Sequence, residues 1–246
     1  MASRIARQDF TEHISESELY YLNKVQPKED GFTVTEWRQS ADQRRAVFPE
    51  LINEVTFKGR ILELGCGSAW LTGELSKLEE VEDLYCFDAS EAILKNITPY
   101  IFTHINADTD KITRVIGDFH KLSFDDNYFD FIVFDDALHR IPKNSYGLIF
   151  RELSRVLKPG GKIVAVHEPV LLSVPLMSWY QKRKLPETRW GEQNLYTKTG
   201  WHQIFNKFNL KASFNPVTSF FKKLGPLQEL FHFVFPTDYI LLLEKD

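Results

Sequence analysis

Ile61-Leu62-Glu63-Leu64-Gly65-Cys66-Gly67-Ser68-Ala69 reads as an apolar strand that turns on two glycines and runs into helix-forming sequence at Trp70-Leu71-Thr72. A buried strand ending in a glycine turn that feeds a helix is the nucleotide-binding corner of a doubly wound α/β sheet. Glycine suits the turn because it accepts φ > 0 and lets the backbone close on a ligand. The helix that follows offers free N–H groups to whatever lies over the turn.

Working outward, Leu71–Leu78 is expected to be helical and Val81–Phe87 to be a second strand, ending in Asp88. An acid at the tip of the second strand, about 20 residues after the glycines, is placed to accept hydrogen bonds from ribose hydroxyls. Ser90 can cap the next helix. The stretch 97–111 reads as a partial insertion. Ile112–Ile116 is a third strand, followed by Gly117-Asp118-Phe119. Phe131–Phe134 is a fourth, uniformly apolar as buried parallel strands are, and it ends in Asp135-Asp136-Ala137-Leu138-His139. Ser145–Leu157 carries apolar residues at helical spacing, and Lys158-Pro159-Gly160-Gly161 stops it. Lys162–Val166 is a fifth strand, ending in His167-Glu168-Pro169. Trp201–Phe208 reads as a last helix, and Leu210–Phe220 with Asp238–Leu243 as a closing antiparallel hairpin.

These elements predict a Rossmann-like, doubly wound, mainly parallel seven-stranded α/β sheet with an antiparallel edge hairpin. Residues 57–246 form that domain. Residues 1–56 form an N-terminal helical arm or flap, with helices at Ser17–Lys24 and Thr35–Glu54 and Thr35 as an N-cap. Its aromatics (Tyr20, Tyr21, Phe32, Trp37) pack the arm onto the domain or close it over a site. Residues 170–208, with Trp179, Tyr180, Trp190, Tyr196 and Trp201, read as a lid inserted after the fifth strand.

Composition narrows the functional classes. A net charge of -4 gives no general pull toward nucleic acid or anionic membranes. The longest apolar region, Ile163–Met177, is broken by His167, Glu168 and two prolines, so no membrane span is expected. Cys66 and Cys86 read as reduced, buried thiols, which points to a cytoplasmic protein. The histidines show no paired zinc-ligand spacing.

In these stretches the chain resembles the class I S-adenosylmethionine-dependent methyltransferases, in particular the small-molecule enzymes of the type 11/12 motif set. Glu63-Leu64-Gly65-Cys66-Gly67-Ser68-Ala69 is similar to the motif that holds the methionine part of the donor. Asp88, with Ala89 beside it, stands at the ribose-binding position, and Asp118-Phe119 where adenine is contacted. Phe129-Asp130-Phe131-Ile132-Val133 with Ala137-Leu138-His139 resembles the fourth-strand motif, whose end lies beside the transferred methyl. Leu157-Lys158-Pro159-Gly160-Gly161 resembles the turn before the fifth strand.

The resemblance implies S-adenosylmethionine as cofactor, with S-adenosylhomocysteine as product. Glu63, Gly65, Cys66, Gly67, Asp88, Ala89, Asp118, Phe119 and Asp135 are the cofactor-binding candidates. The chain departs from the family pattern in having Ala69 where a third glycine is common, and Asp135-Asp136 where small or amide residues are frequent. A dinucleotide oxidoreductase would need a glycine where Trp70 stands.

Methyl transfer from a sulfonium is an in-line displacement that needs alignment and exclusion of water, and a base only when the acceptor must lose a proton. His139, His167 and Glu168 are the base candidates, each with a packing role as its alternative. Strand alternation turns one of His167 and Glu168 away from the site. Asp135-Asp136 would suit a divalent metal only with a third ligand, which the sequence does not supply. Lys182-Arg183-Lys184 reads as a solvated face or a contact for an anionic acceptor. The late phenylalanines read as core, or as the lining of an apolar or aromatic pocket. The expected function is methylation of a small-molecule acceptor, at oxygen or nitrogen sooner than carbon. The rivals are a non-catalytic cofactor- or partner-binding module, and a tRNA or protein methyltransferase.

Overall fold

The computed structural model describes residues 4–7, 34–171, 194–217 and 237–245. The strands are β1 (Arg4–Arg7), β2 (Gly59–Leu64), β3 (Val81–Asp88), β4 (Ile112–Ile116), β5 (Phe129–Asp135), β6 (Leu157–Leu171), β7 (Tyr196–Thr197), β8 (Leu210–Pro216) and β9 (Thr237–Lys245). The α-helices are α1 (Val34–Arg44), α2 (Phe48–Glu54), α3 (Trp70–Leu75), α4 (Thr98–Ile105), α5 (Tyr146–Val156) and α6 (Lys198–Phe205). One sheet runs β1-β4-β3-β2-β5-β6-β9-β8, with β7 beside β6. All pairs from β1 to β6 are parallel, and β6–β9 and β9–β8 are antiparallel.

Strand alternation sorts the core into two layers. Ile61, Phe131, Val133, Val164 and Val166 face one layer, which α1 to α4 complete through Trp37, Ala41, Leu51, Leu71 and Phe102. Leu62, Leu64, Ile132, Phe134, Ile163 and Ala165 face the other, with α5 and α6. Helix α5 buries Tyr146, Ile149, Phe150, Leu153 and Val156, the i, i+3, i+4, i+7 stripe of an amphipathic helix. Both faces are therefore covered, which explains why β5 is apolar on both sides.

Several expectations need correcting. The arm is not wholly helical, because Arg4–Arg7 is a strand in parallel register with β4, Arg4 opposite Thr113 and Arg7 opposite Ile116. A segment of 4 residues is too short to carry periodicity, and what decides its state is the open edge of β4. Thr35 lies inside α1, so it is not an N-cap. The stretch 97–111 is no insertion: a π-helical turn at Ile93–Ile97 leads into α4, the crossover between β3 and β4. Its β-branched residues and Pro99 weaken the helical signal.

The lid reading also changes. Val170 and Leu171 end β6, and Trp201 and Phe205 are wholly buried, with rings stacked at 5.1 Å, so 194–208 belongs to the body of the fold. Phe208 stacks on Phe150 at 4.8 Å, which is core packing. Ser17–Lys24, Tyr20, Tyr21, Phe32, Trp179, Tyr180, Trp190, the Lys182-Arg183-Lys184 run and Phe220 to Phe235 lie outside the described residues. No helix among the described residues is long and apolar enough to cross a membrane.

Candidate active site

The carboxyl ends of β2, β3, β4 and β5 meet at a cavity of about 200 Å³. Gly65, Cys66, Gly67 and Ser68 form one wall, and Asp88, Ala89, Phe119 and His120 another. Asp135, Asp136, Ala137, Arg140, Ile141, Pro142 and Ile149 form a third. Trp37, Ser40 and Arg44 close over it from α1.

The turn has the strain that such a cradle demands. Gly65 has φ +69°, and a Cβ there would stand 3.1 Å from Ala137 Cβ. Gly67 has φ +50° with open space where its Cβ would lie. Ala69 takes φ 57° despite its methyl group, a conformation costing about 1–2 kcal/mol in an L-residue. Asp136 and His167, at φ 54° and 53°, share it. Among the described residues, the other non-glycine residues with positive φ are asparagines, which tolerate it. Among them, strain of this kind outside asparagine therefore gathers in the turns after β2 and β5 and at the bulge in β6, as it does at functional sites.

The cofactor candidates separate into those that line the cavity and those that support it. Gly65, Cys66, Gly67, Asp88, Ala89, Phe119 and Asp135 line it. Asp88 Oδ2 accepts from Gly67 N at 2.9 Å and Oδ1 from Ser90 N at 2.9 Å, and burial pushes its carboxyl up. A carboxylate with those two bonds keeps lone pairs for a ribose diol. Glu63 does not line the cavity. It is wholly buried and accepts from Thr72 N at 2.9 Å and from the Thr72 hydroxyl, tying the strand to α3. Burial pushes its carboxyl up to about 8, and its Oε1 is a buried atom without a hydrogen-bond partner. Asp118 lies just behind the wall and accepts from His120. The glycine cradle and the Asp88 acceptor fit S-adenosylmethionine.

Asp135 is the hub of the opposite end. It accepts from His167 Nδ1 at 2.6 Å, Trp70 Nε1 at 2.6 Å and Arg44 Nη1 at 3.1 Å. Burial opposes its charge, but Arg44 and His167 outweigh burial and hold its carboxyl at about 2. Asp136 accepts from Arg44 Nη2 at 2.7 Å and Arg140 Nη2 at 2.9 Å, and these cations hold it low against burial as well. Burial works against a charge on His167, yet the Asp135 carboxylate wins and raises the imidazole above its ordinary 6.5. The two aspartates thus serve arginines. Among the described residues no His, Cys, Asp and Glu cluster could hold a metal ion.

His139 and Glu168 sit elsewhere. Both are 0% exposed, and His139 Nδ1 lies 2.9 Å from Glu168 Oε2. Glu168 also accepts backbone N–H groups from Ala137, Leu138 and His139 at 3.2, 2.9 and 3.1 Å. Neither residue lines the cavity, and His167 meets it only through Asp135. A β-bulge makes this division. Between Ala165 and Glu168 the register with β9 slips, so β6 advances from 165 to 168 while β9 moves only from Leu241 to Tyr239. Without the slip, the alternation that puts Ile163 and Ala165 on the α5 side would send His167 there too.

Trp37 lines the cavity, in line with its reading as an arm aromatic that closes over a site, whereas sequence reasoning missed Ser40 and Arg44, which follow it on α1 at i+3 and i+7. Trp70 was read only as evidence against a dinucleotide, whereas its indole N–H anchors Asp135.

Comparison with known proteins agrees with this geometry. Residues 62–165 match the family described as a methyltransferase domain. The demethylmenaquinone methyltransferase of Staphylococcus saprophyticus is 31% identical over 134 residues, which cover 54% of this chain and 54% of that protein. The chain thus spans about half the length of the curated relatives it matches. Among solved structures, the Haloferax volcanii complex of the Trm112 methyltransferase activator with a methyltransferase gives a TM-score of 0.67 at 15% identity, covering 91% of this chain and 98% of that one. The geranyl diphosphate C-methyltransferase of Streptomyces coelicolor A3(2), solved with S-adenosyl-L-homocysteine, gives 0.59 at 12% identity, covering 82% and 75%. At these identities the likeness is one of fold. Motif, topology and site agree on this stretch: residues 62–165 are a class I S-adenosylmethionine-dependent methyltransferase domain.

Proposed function

We propose that this chain methylates a small-molecule acceptor with S-adenosylmethionine, and that His167, paired with Asp135, takes the acceptor's proton. The hydrogen bond from His167 Nδ1 at 2.6 Å to Asp135, an aspartate of the cavity wall, carries the reading.

When bound, S-adenosylmethionine supplies the activated methyl group. Gly65, Gly67, Asp88 and Phe119 bind and orient the donor. Trp37 and Arg44 on α1 close the opposite side and exclude water. Asp135 fixes the tautomer of His167 by taking its Nδ1 proton in a hydrogen bond, which leaves Nε2 to accept a proton from the acceptor. His139 and Glu168 are assigned to holding the turn after β5. The demethylmenaquinone methyltransferase relatives support a small acceptor. The fold neighbour named as a C-methyltransferase means that the scaffold also hosts methylation at carbon, so oxygen or nitrogen gains no support over carbon as the acceptor atom.

Calorimetry with S-adenosylmethionine and S-adenosylhomocysteine tests the donor half of the proposal. Saturable heat with both is expected. No heat with either, on folded protein, would overturn it.

A further inference from the structure

A second polar chain borders the cavity, on the wall where β4 ends. Asp118 Oδ1 meets His120 twice, at the backbone N (2.8 Å) and at ring Nδ1 (2.6 Å). His120 Nε2 lies 3.1 Å from Ser145 Oγ. All are buried, with 3%, 9% and 8% exposure for Asp118, His120 and Ser145. Both ring nitrogens are therefore committed, and the ring cannot turn without breaking a buried bond.

Ser145 sits at the N-cap position of α5, yet its hydroxyl makes no capping bond. A serine there ordinarily caps the helix, and here the hydroxyl is spent on His120. The chain crosses from the loop after β4 to the start of α5, joining two segments that flank the cavity. His120 and Phe119 line the cavity, as do Ile141, Pro142 and Ile149 beside the polar Asp88 and Arg140, so the fixed imidazole belongs to a wall with several apolar side chains. A slot with such a wall suits a flat, weakly polar ring. The same residue types activate a serine nucleophile in hydrolases, but Ser145 does not line the cavity and so presents no nucleophile to it.

We propose that His120, clamped between Asp118 and Ser145, is a positioning residue for the purine end of the methyl donor, holding the slot open and Asp118 in place before the ligand arrives. The proposal rests on the methyl-donor reading of the cavity. Preorganisation of this kind spares the ligand the cost of ordering the wall on binding.

The experiment is calorimetric titration with S-adenosylhomocysteine and with S-inosylhomocysteine, whose purine carries a carbonyl where adenine has its amine. Wild type, His120→Ala, Ser145→Ala and the double variant are compared, each first checked for a cooperative melt. With the wall left to be ordered on binding, S-adenosylhomocysteine is expected to bind about 10-fold weaker in His120→Ala. Ser145→Ala should fall in the same direction by less, and the double variant should match His120→Ala, because the chain acts as one unit. The preference of the wild type for the adenine ligand should shrink in His120→Ala. Equal affinity and equal preference in wild type and both single variants would overturn the inference. If His120→Ala does not fold, the same comparison in Ser145→Ala decides. No binding to wild type would instead remove the donor reading on which the inference stands.

Discussion

Two histidine–carboxylate pairs stand side by side where β5 ends and β6 bulges, and their surroundings differ. His139–Glu168 is sealed, with both side chains at 0% exposure and Glu168 collecting the N–H groups of the turn that follows β5. His167–Asp135 keeps 9% and 7%, and its aspartate forms part of the cavity wall. Residue type, pairing and distance are nearly the same. What separates them is the face of the sheet, and the bulge in β6 assigns it. The lesson is that a histidine beside a carboxylate is only a candidate. The backbone register decides which face of the sheet the pair occupies.

Removing each pair in turn should break this comparison open. His167→Ala should lower kcat by about 10² to 10⁴-fold, the usual worth of a general base. It should leave the affinity for S-adenosylhomocysteine within about twofold, because the glycine cradle and Asp88 still position the donor. Rate measurements on an acceptor turned over by the wild type, beside calorimetry, check both halves; unchanged kcat would move the base elsewhere. Glu168→Ala should act on stability instead. It strands three backbone N–H groups and the His139 ring in the interior, and breaking a buried pair of this kind costs about 3–5 kcal/mol. Urea unfolding should show that loss, and a loss under about 1 kcal/mol would mean the clamp is not structural.

The fold was legible because its signals are local. The strand-turn-helix at Ile61–Ala69, the apolar run of β5 and the Pro159-Gly160-Gly161 stop each sit within a few residues of sequence. So was one wall of the cavity, because Gly65, Gly67 and Asp88 stand at a glycine turn and a strand tip. The wall of Asp135 and Asp136 was not. Arg44 reaches Asp135 and Asp136 across 91 and 92 positions, and no spacing rule announces such a pair. The bulge that separates His167 from Glu168 depends on pairing with β9, which begins only at Thr237. His120 belongs to no motif, and the Ser145 that holds it comes from the start of α5, 25 positions on.

The charge network also sets a pH response. With its value raised above 6.5, His167 adds stability that is fully present below about pH 6.5 and is lost as pH rises through the folded value. Asp135, held at about 2 against an ordinary 3.8, adds stability present above 3.8 and lost as pH falls toward 2. Transfer that depends on neutral His167 should therefore rise with pH through a value above 6.5.

The most direct test of the Asp135–His167 assignment is an NMR titration of the His167 ring in wild type and Asp135→Asn, which requires no acceptor. The account predicts a midpoint above 6.5 in wild type, and a lower one in the variant, where burial and Arg44 act without the opposing carboxylate. A wild-type midpoint below 6.5, or one that Asp135→Asn leaves in place, would contradict it.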